Sequence, residues 1–517
     1  MLIDGRDIDN GSVFQTDICI IGAGAAGISI AKELHGTSID VCLVESGGLI
    51  AESDTQSLAG GENVGHPYFD LETTRLRMFG GTTGVWSGWC RPLDAIDFKQ
   101  RDWIPHSGWP ISLVEIEDYY KRAQQICQLG PYEYNPDNWN LSEAPRYDFS
   151  NSKLVNRLIQ FSPPTRFGEE YRQLLSQSNN TRIFLNSNVL LINTNKEGNH
   201  TTDVAARSLN GNQFKIHAKY FIIAAGGIEN ARLLLLSNSV HKAGLGNSRD
   251  VVGRYFMNHF FVTTGGVILS EYKKNDNFYC KHISVIDDKK RKAKIMGYVN
   301  FTEQTQESQN MLNVSFNLLP SDISSVFLAE ENDEQWYSGI GRVFGNIDEL
   351  TKGAINRLHA KFEPSALERI YQLLNIAEQS PNPNSRVTLA DTIDELGQRK
   401  VRLDWQLQEI DLLSIERGHK VLGAELARLG LGRVVNILEA SEGWPAEYIG
   451  DWHHMGTTRM HENPLKGAVD ADCKLHDVDN LFVAGSSVFP TSGYSNPTLT
   501  IVALSIRLAD YLKKIIR

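Results

Sequence analysis

Gly22, Gly24 and Gly27 stand in the pattern Gly-x-Gly-x-x-Gly, and Glu45 follows 21 residues after Gly24. The first glycine permits a tight turn. The second lets backbone approach a pyrophosphate, and the third lets a helix pack close against a strand. Ala25 and Ala26 complete the turn, where a helix N-terminus offers free N–H groups and a positive dipole end to phosphate. Glu45 is spaced to accept hydrogen bonds from a ribose hydroxyl pair, and an acid there argues against a 2′-phosphorylated cofactor. The chemistry is dinucleotide binding. The fingerprint itself does not choose between nicotinamide and flavin.

The elements needed to position these residues are legible around them. Thr16 to Ile21 reads as a buried parallel strand, Ile28 to Leu34 as a helix and Ile39 to Val44 as a second strand ending at Glu45, which makes one βαβ unit. Gly47 to Gly65 reads as loop, and Arg75 to Asp97 is dense in Gly, Thr and Trp. A helix is expected over Leu113 to Leu129. Tyr220 to Ala225 reads as another buried strand, leading through Gly226-Gly227 into an apolar helix that ends at Leu236. From Phe260 to Val434 the composition shifts. Phe261 to Leu269, Ile295 to Phe301 and Met311 to Leu318 alternate as antiparallel strands do, while Ile355 to Ala377 and Asp411 to Leu429 read as helices. Asn480 to Ala484 is a last strand, and Thr498 to Ile516 closes as an amphipathic helix.

The expected fold class is therefore α/β, a Rossmann-like dinucleotide-binding domain with an inserted α+β substrate domain built on an antiparallel sheet. The divisions are 1–100 for the first nucleotide-binding segment, 101–180 for a cap on the substrate side and 181–260 for the second nucleotide-binding segment. Residues 261–450 form the substrate domain and 451–517 the C-terminal nucleotide-binding segment.

Composition narrows the partners. Fifty-one lysines and arginines against 62 acids give a net charge of −11 over 517 residues, the wrong sign for a polyanion-binding footprint. Lys289 to Lys292 with Lys294 reads as a solvated hairpin tip, and Glu330 to Glu334 as an exposed loop. Six cysteines form no CxxC pair and no metal-like spacing, which fits a reducing compartment. No secretory signal or membrane span is read, so a cytoplasmic location is expected, with no metal, no nucleic acid and no membrane partner.

The chain resembles the glucose–methanol–choline (GMC) oxidoreductase family at widely separated places, in order. After Gly22 to Gly27 and Glu45 come Arg75, Phe79-Gly80-Gly81-Thr82-Thr83 and Trp86-Ser87-Gly88. Ala225-Gly226-Gly227-Ile228-Glu229-Asn230, Val252 to His259 and Pro381 to Val387 follow mid-chain. Last are Trp452-His453-His454-Met455-Gly456-Thr457 and Ser492 to Thr500.

The resemblance implies FAD and oxidation of an alcohol. Members with covalent flavin carry a histidine before the tryptophan of the early motif; Val85 stands there, so non-covalent FAD is expected. By analogy Gly80, Gly81, Thr82 and Thr83 pass along the isoalloxazine or pyrophosphate, and Val189 gives a backbone contact to adenine. Gly485 and Ser486 meet the ribityl–pyrophosphate region, and Pro497 and Thr498 face the flavin O2 side. Carbinol oxidation needs a base poised near neutral pH, which histidine supplies. The family motif puts it on His453, with Asn496 as its partner and His454 as the alternative. His259 and His461 are expected to be structural.

The Asn496-Pro497-Thr498 ending and Ala484 before Gly485 are similar to the sugar-oxidising branch. His461 and Asp477 depart from its usual glycines. Trp86, Trp89, Trp103 and Trp109 are candidates to stack on a sugar ring. The expected partners are a small alcohol or sugar and an electron acceptor, either O2, a quinone or a separate electron-transfer protein. Three other readings stand beside this one at the level of sequence. They are a lyase using the same scaffold with a redox-silent flavin, a flavin-binding protein that is no enzyme, and a nicotinamide dehydrogenase.

Overall fold

In the computed structural model, which describes residues 1–142, 144–270, 277–320, 370–436, 444 and 450–516, the strand Ser12–Ile21 ends in four buried residues and runs straight into the glycine turn. Gly22 has φ +103°, and a Cβ there would stand 2.6 Å from the Ala224 carbonyl oxygen. The helix Ala25–Leu34 begins at Gly24 with no side-chain cap, which leaves its first-turn N–H groups facing outward from the strand end. Ile18, Ile20, Ile28 and Ile30 are wholly enclosed, each contributing about 1.5–3 kcal/mol of burial.

This strand is central to a sheet. The parallel order is Leu2–Asp4, Thr181–Leu185, Val41–Val44, Ser12–Ile21, Gln213–Ile223, and the last strand then pairs antiparallel with Thr201–Arg207, itself paired with Asn188–Thr194. Leu481–Val483 adds in parallel to the carboxyl end of Gln213–Ile223, with Phe221 opposite Leu481 and Ile223 opposite Val483. The helix Leu113–Ile126 packs on the C-terminal helix Thr498–Ile515, where Arg122 pairs with both Asp510 and Glu33. The fold is thus α/β as expected.

A second sheet is antiparallel throughout. Its order is Gly432–Asn436, Phe260–Leu269, Ile370–Ala377, Val314–Pro320, Lys292–Phe301, Leu154–Phe161, Trp89–Cys90, with Ile283–Ile286 beside Lys292–Phe301. The helix Glu409–Arg428 lies across one face, where its Gly418 lets Phe316 and Phe301 approach closely.

Two sequence readings change here. The helix expected over Ile355 to Ala377 is, over its last eight residues, the strand Ile370–Ala377. Its run Ile-Tyr-Gln-Leu-Leu-Asn-Ile-Ala shows no alternation because the strand is enclosed on both faces, Tyr371 to Ala377 all being buried, and periodicity alone does not separate such a strand from a buried helix. Residues 355–369 and the acidic run Glu330 to Glu334 lie outside the described residues. The presumed loop before Gly65 holds a short helix, Ser53–Ser57, and the strand Gly61–Asn63, which pairs with Arg399–Asp404 in a small third sheet. The basic run does form an exposed hairpin tip, shaped by Asp287, whose carboxylate accepts from the backbone N–H groups of Lys289 and Arg291. Among the described residues no helix is long and apolar enough to cross a membrane.

Candidate active site

The strands Ser12–Ile21, Gln213–Ile223 and Leu481–Val483 each run into a glycine-bearing turn at the carboxyl end of the parallel sheet. A Cβ built on Gly24, Gly226 or Gly485 meets nothing within 4 Å, so all three border open space, the position where α/β sheets bind ligands. Gly27 does the opposite: its Cβ would lie 1.9 Å from the Gly22 carbonyl oxygen, so only glycine lets this helix seat on the turn.

The loop carrying Gly80 to Thr83 closes one wall. The N–H of Gly80 donates to the Ala23 carbonyl at 2.8 Å, and Gly81 lies close enough that its Cβ would be 3.0 Å from Gly24 Cα. Thr83 Oγ1 donates to the Gly80 carbonyl at 2.5 Å, and Thr82 Oγ1 accepts from the N–H of Leu76. Glu45 is buried, accepting from the N–H groups of Ala23 and Gly47 at 2.9 Å each and from Ser46 Oγ at 3.0 Å. Burial raises its pKa against those bonds. Val189 stands two residues beyond Ser187, whose N–H donates to the Glu45 carbonyl at 2.9 Å.

The histidines are placed by a short ladder. Met257 and Met455 exchange both backbone hydrogen bonds at 3.0 Å, and counting on two residues sets His259 across from His453. The rings meet nearly perpendicular, centroids 5.0 Å apart. Nδ1 of His453 lies 3.0 Å from Nδ1 of His259 and 3.2 Å from the Asp451 carboxylate. Nε2 faces Asn496, 3.4 Å from its amide nitrogen. Asn258 locks the arrangement, since its Oδ1 accepts from the N–H of His259 at 2.9 Å and of His453 at 3.0 Å while its amide donates to the Asp451 carbonyl.

His454 turns the other way. Its Nε2 is 2.8 Å from the Tyr68 hydroxyl, which itself donates to the Asp451 carbonyl at 2.7 Å. Its carbonyl accepts from Ser486 Oγ at 2.6 Å and is so close to Gly227 that a Cβ there would stand 2.2 Å away. Burial, then the Arg75 guanidinium and His453, hold its pKa well below the imidazole range. Burial and His453 likewise push His259 down to about 3. Of the two candidates in the motif, only His453 faces Asn496. Asn496 directly precedes Pro497 and Thr498, which start the C-terminal helix, and Pro497 accepts from the N–H of Ile501 at 2.9 Å.

The tryptophans separate clearly. Trp109 is buried and donates to Thr491 Oγ1 at 2.8 Å, Trp86 to the Thr165 carbonyl at 2.8 Å and Trp103 to the Met311 carbonyl at 3.0 Å. Trp89 instead meets Phe161 and Phe261 edge-on, at 5.5 and 6.0 Å, within a patch that includes Met296, Tyr298 and Tyr494. Phe261 is two residues past His259 and Tyr494 two before Asn496, so this wall is carried by the same two segments as His259 and Asn496. His461 accepts from the N–H of Asn463 at 2.9 Å, and Asp477 pairs with Arg249 at 2.6 Å, both in surface loops.

Sequence reasoning missed Tyr68, Asn258 and Asp451, together with the contact of His259 to His453. Asn258 and His259 sit inside a recognised motif and Asp451 lies two residues before His453, but no local signal marks Tyr68. Beneath the cleft, Glu229 is held by Arg75 at 2.6 Å and Arg77 at 3.2 Å, which keep its carboxyl far below the usual range despite burial.

Comparison with known proteins agrees with this geometry. Residues 17–244 match the family model described as FAD dependent oxidoreductase, and residues 381–505 match the one described as GMC oxidoreductase. The chain is 24% identical to 2-methyl-1,2-propanediol dehydrogenase of Mycolicibacterium austroafricanum over 97% of this chain and 96% of the relative. It is 26% identical to the fructose dehydrogenase large subunit of Gluconobacter japonicus over 84% and 80%. Pyridoxine 4-oxidase from Mesorbium loti shares the fold with TM-score 0.56 at 16% identity, covering 96% of this chain and 99% of that one. The chain thus joins an FAD-dependent oxidoreductase region to a GMC oxidoreductase region and is an FAD-dependent enzyme acting on an alcohol group.

Proposed function

We propose that the protein oxidises a hydroxyl-bearing carbon of a sugar, glycoside or polyol, with dissociable FAD as cofactor and His453 as base. The observation that carries this reading is the pairing of His453 Nε2 with the Asn496 amide at 3.4 Å, at the start of the C-terminal helix and beside the Trp89 wall.

The cleft fits FAD. Open space in front of Gly24, Gly226 and Gly485 and an uncapped helix N-terminus match a flat, anionic dinucleotide. Gly22 to Gly27, with Ala25 and Ala26, would hold the pyrophosphate and Glu45 the ribose. Val189, Gly80, Gly81, Thr82, Thr83, Gly485, Ser486, Pro497 and Thr498 would line the remainder. Val85 offers no nucleophile for a covalent link. When bound, FAD supplies the two-electron acceptor for the carbinol hydride.

The protein's own groups do the rest. His453 takes the hydroxyl proton on Nε2, and the Asp451 carboxylate at 3.2 Å offsets the charge that results. The Asn496 amide donates to the substrate oxygen and orients it. The positive end of the helix Thr498–Ile515 favours negative charge gathering at this point. Trp89, Phe161 and Phe261 offer C–H/π contact to a ring face. Relatives named for a diol and for fructose support a polyhydroxylated substrate. Segments 1–100, 181–260 and 451–517 form the flavin side in this reading, 261–450 the substrate side and 101–180 a cap. Six buried cysteines, none of them in a disulfide, support a cytoplasmic location.

The test is an anaerobic titration of the yellow protein with sugars, glycosides, polyols and simple alcohols, read at the flavin band. Bleaching by one polyhydroxylated class is expected. Bleaching only by simple aliphatic alcohols would replace the substrate class, and no bleaching by any alcohol would sink the redox reading.

A further inference from the structure

We propose that His259 is a positioning residue for His453: it holds the exchangeable proton of that imidazole on Nδ1, so that Nε2 meets the substrate as a free lone pair. The inference rests on the reading of His453 as the base and says how that base is kept in its working tautomer.

Hydrogen-bond polarity sets this tautomer. A chain of four groups runs from the Asp451 carboxylate through His453 and His259 to the Ser492 carbonyl, and both ends of it only accept. His259 Nε2 lies 3.3 Å from the Ser492 oxygen, so that nitrogen carries the proton. A neutral imidazole has one N–H, and His259 Nδ1 therefore presents a lone pair. It faces His453 Nδ1 at 3.0 Å, and this contact is attractive only with the proton on His453. Asp451, at 3.2 Å from the same nitrogen, accepts from it as well. The Asn496 amide nitrogen, a donor, faces the Nε2 that is left bare. The opposite tautomer would set lone pair against lone pair at Ser492 and again at Asp451.

Burial keeps this polarity fixed. His259 is fully enclosed, faced by His453, the Asn258 carboxamide and the backbone of Ser492 and Gly493. Its pKa near 3 leaves it neutral wherever His453 works. His453 is faced by Asp451, Asn496, His259 and, more remotely, His454. In the proton-transfer step the substrate O–H bond breaks, its electron pair stays on oxygen and an N–H bond forms at Nε2. Nδ1–H remains shared between Asp451 and His259 throughout.

Two measurements on the FAD-loaded protein test this. In a selectively 15N-histidine-labelled sample, with His453 assigned by loss of its signals in His453→Gln, the resonances should be those of an Nδ1-protonated ring with bare Nε2. His259→Leu, which has no acceptor, should slow flavin reduction about tenfold or more with KM within twofold. His259→Asn, whose amide oxygen can occupy the Nδ1 position, should recover most of the rate. A His453 ring protonated on Nε2 in the wild type overturns the proposal, even if His259→Leu fails to fold. A His259→Leu enzyme of wild-type rate overturns it too, provided His453→Ala is inactive. An active His453→Ala would instead overturn the base assignment beneath it.

Discussion

Arg101 and Glu378 meet as a fully enclosed two-pronged ion pair, Nη1 to Oε2 at 2.8 Å and Nη2 to Oε1 at 2.5 Å, with neither side chain more than 1% exposed. Such a pair stands only when both partners are present, and it binds the end of the strand Ile370–Ala377 to the segment after Ala95–Phe98. Asp97 lies beside it, its backbone carbonyl accepting from Thr491 Oγ1 at 2.8 Å and its carboxyl next to Gly493. The loop that delivers Asn496 therefore rests on a buried acid.

That acid gives a pH prediction. Burial, then the negative charges of Glu378 and Asp94, raise Asp97 from 3.8 to about 8, so the native state holds a proton that the unfolded chain releases. Its contribution is complete below about pH 4 and is lost as pH rises through about 8, at roughly 1.4 kcal/mol per pH unit for one proton. The stability advantage of the wild type over Asp97→Asn should shrink between pH 5 and 8 in denaturant titrations. A constant difference would mean that Asp97 is ionised across that range.

His453→Ala should keep FAD and lose about 10²- to 10⁴-fold in the rate of flavin reduction. Asn496→Ala should lose roughly tenfold, the worth of one oriented hydrogen bond. Rapid mixing with substrate under anaerobic conditions measures both. A near wild-type rate in His453→Ala would falsify the base assignment.

Gly24→Ala and Gly27→Ala should fail differently. The Gly24 methyl projects into open cleft, so this apoprotein should melt like the wild type but purify with little FAD. The Gly27 methyl must displace the Gly22 carbonyl, which should cost about 1–3 kcal/mol of stability as well. Flavin-to-protein absorbance ratios and apoprotein melting curves separate the two.

Trp89→Ala should raise KM for the best substrate by roughly tenfold and change kcat little. Trp109→Phe removes the bond to Thr491 and should shift the melting temperature while leaving KM in place. Equal KM effects from the two would show that Trp89 touches no substrate.

The nucleotide-binding half was readable because its signals are local. Glycine spacing, β-branched strands and Glu45 all lie within one βαβ unit, and the paired motifs around His453 and Asn496 pointed to each other through family likeness. The Nδ1 contact of His453 with His259 was not readable. His259 lies far away in sequence and is brought in only by the register of the Met257–Met455 bridge, which no periodicity encodes. Ile370–Ala377 was misread for a related reason: a strand enclosed on both faces has no polar face to announce its period of two. Trp89 could be separated from Trp86, Trp103 and Trp109 only once their indole N–H partners were visible.

The parallel strand Leu481–Val483 also sets an order of events during synthesis. Its neighbour Gln213–Ile223 leaves the ribosome early, with the edge at Phe221 to Ile223 unpaired and apolar until half the chain has followed. Only when Asn480 arrives do its carbonyl and carboxamide close on Phe221, Thr201 and Lys219, and the His453 loop is delivered in the same stretch. A nascent chain stalled before that point carries a half-built nucleotide sheet with an open, sticky margin, and it is this interval that a chaperone would have to guard.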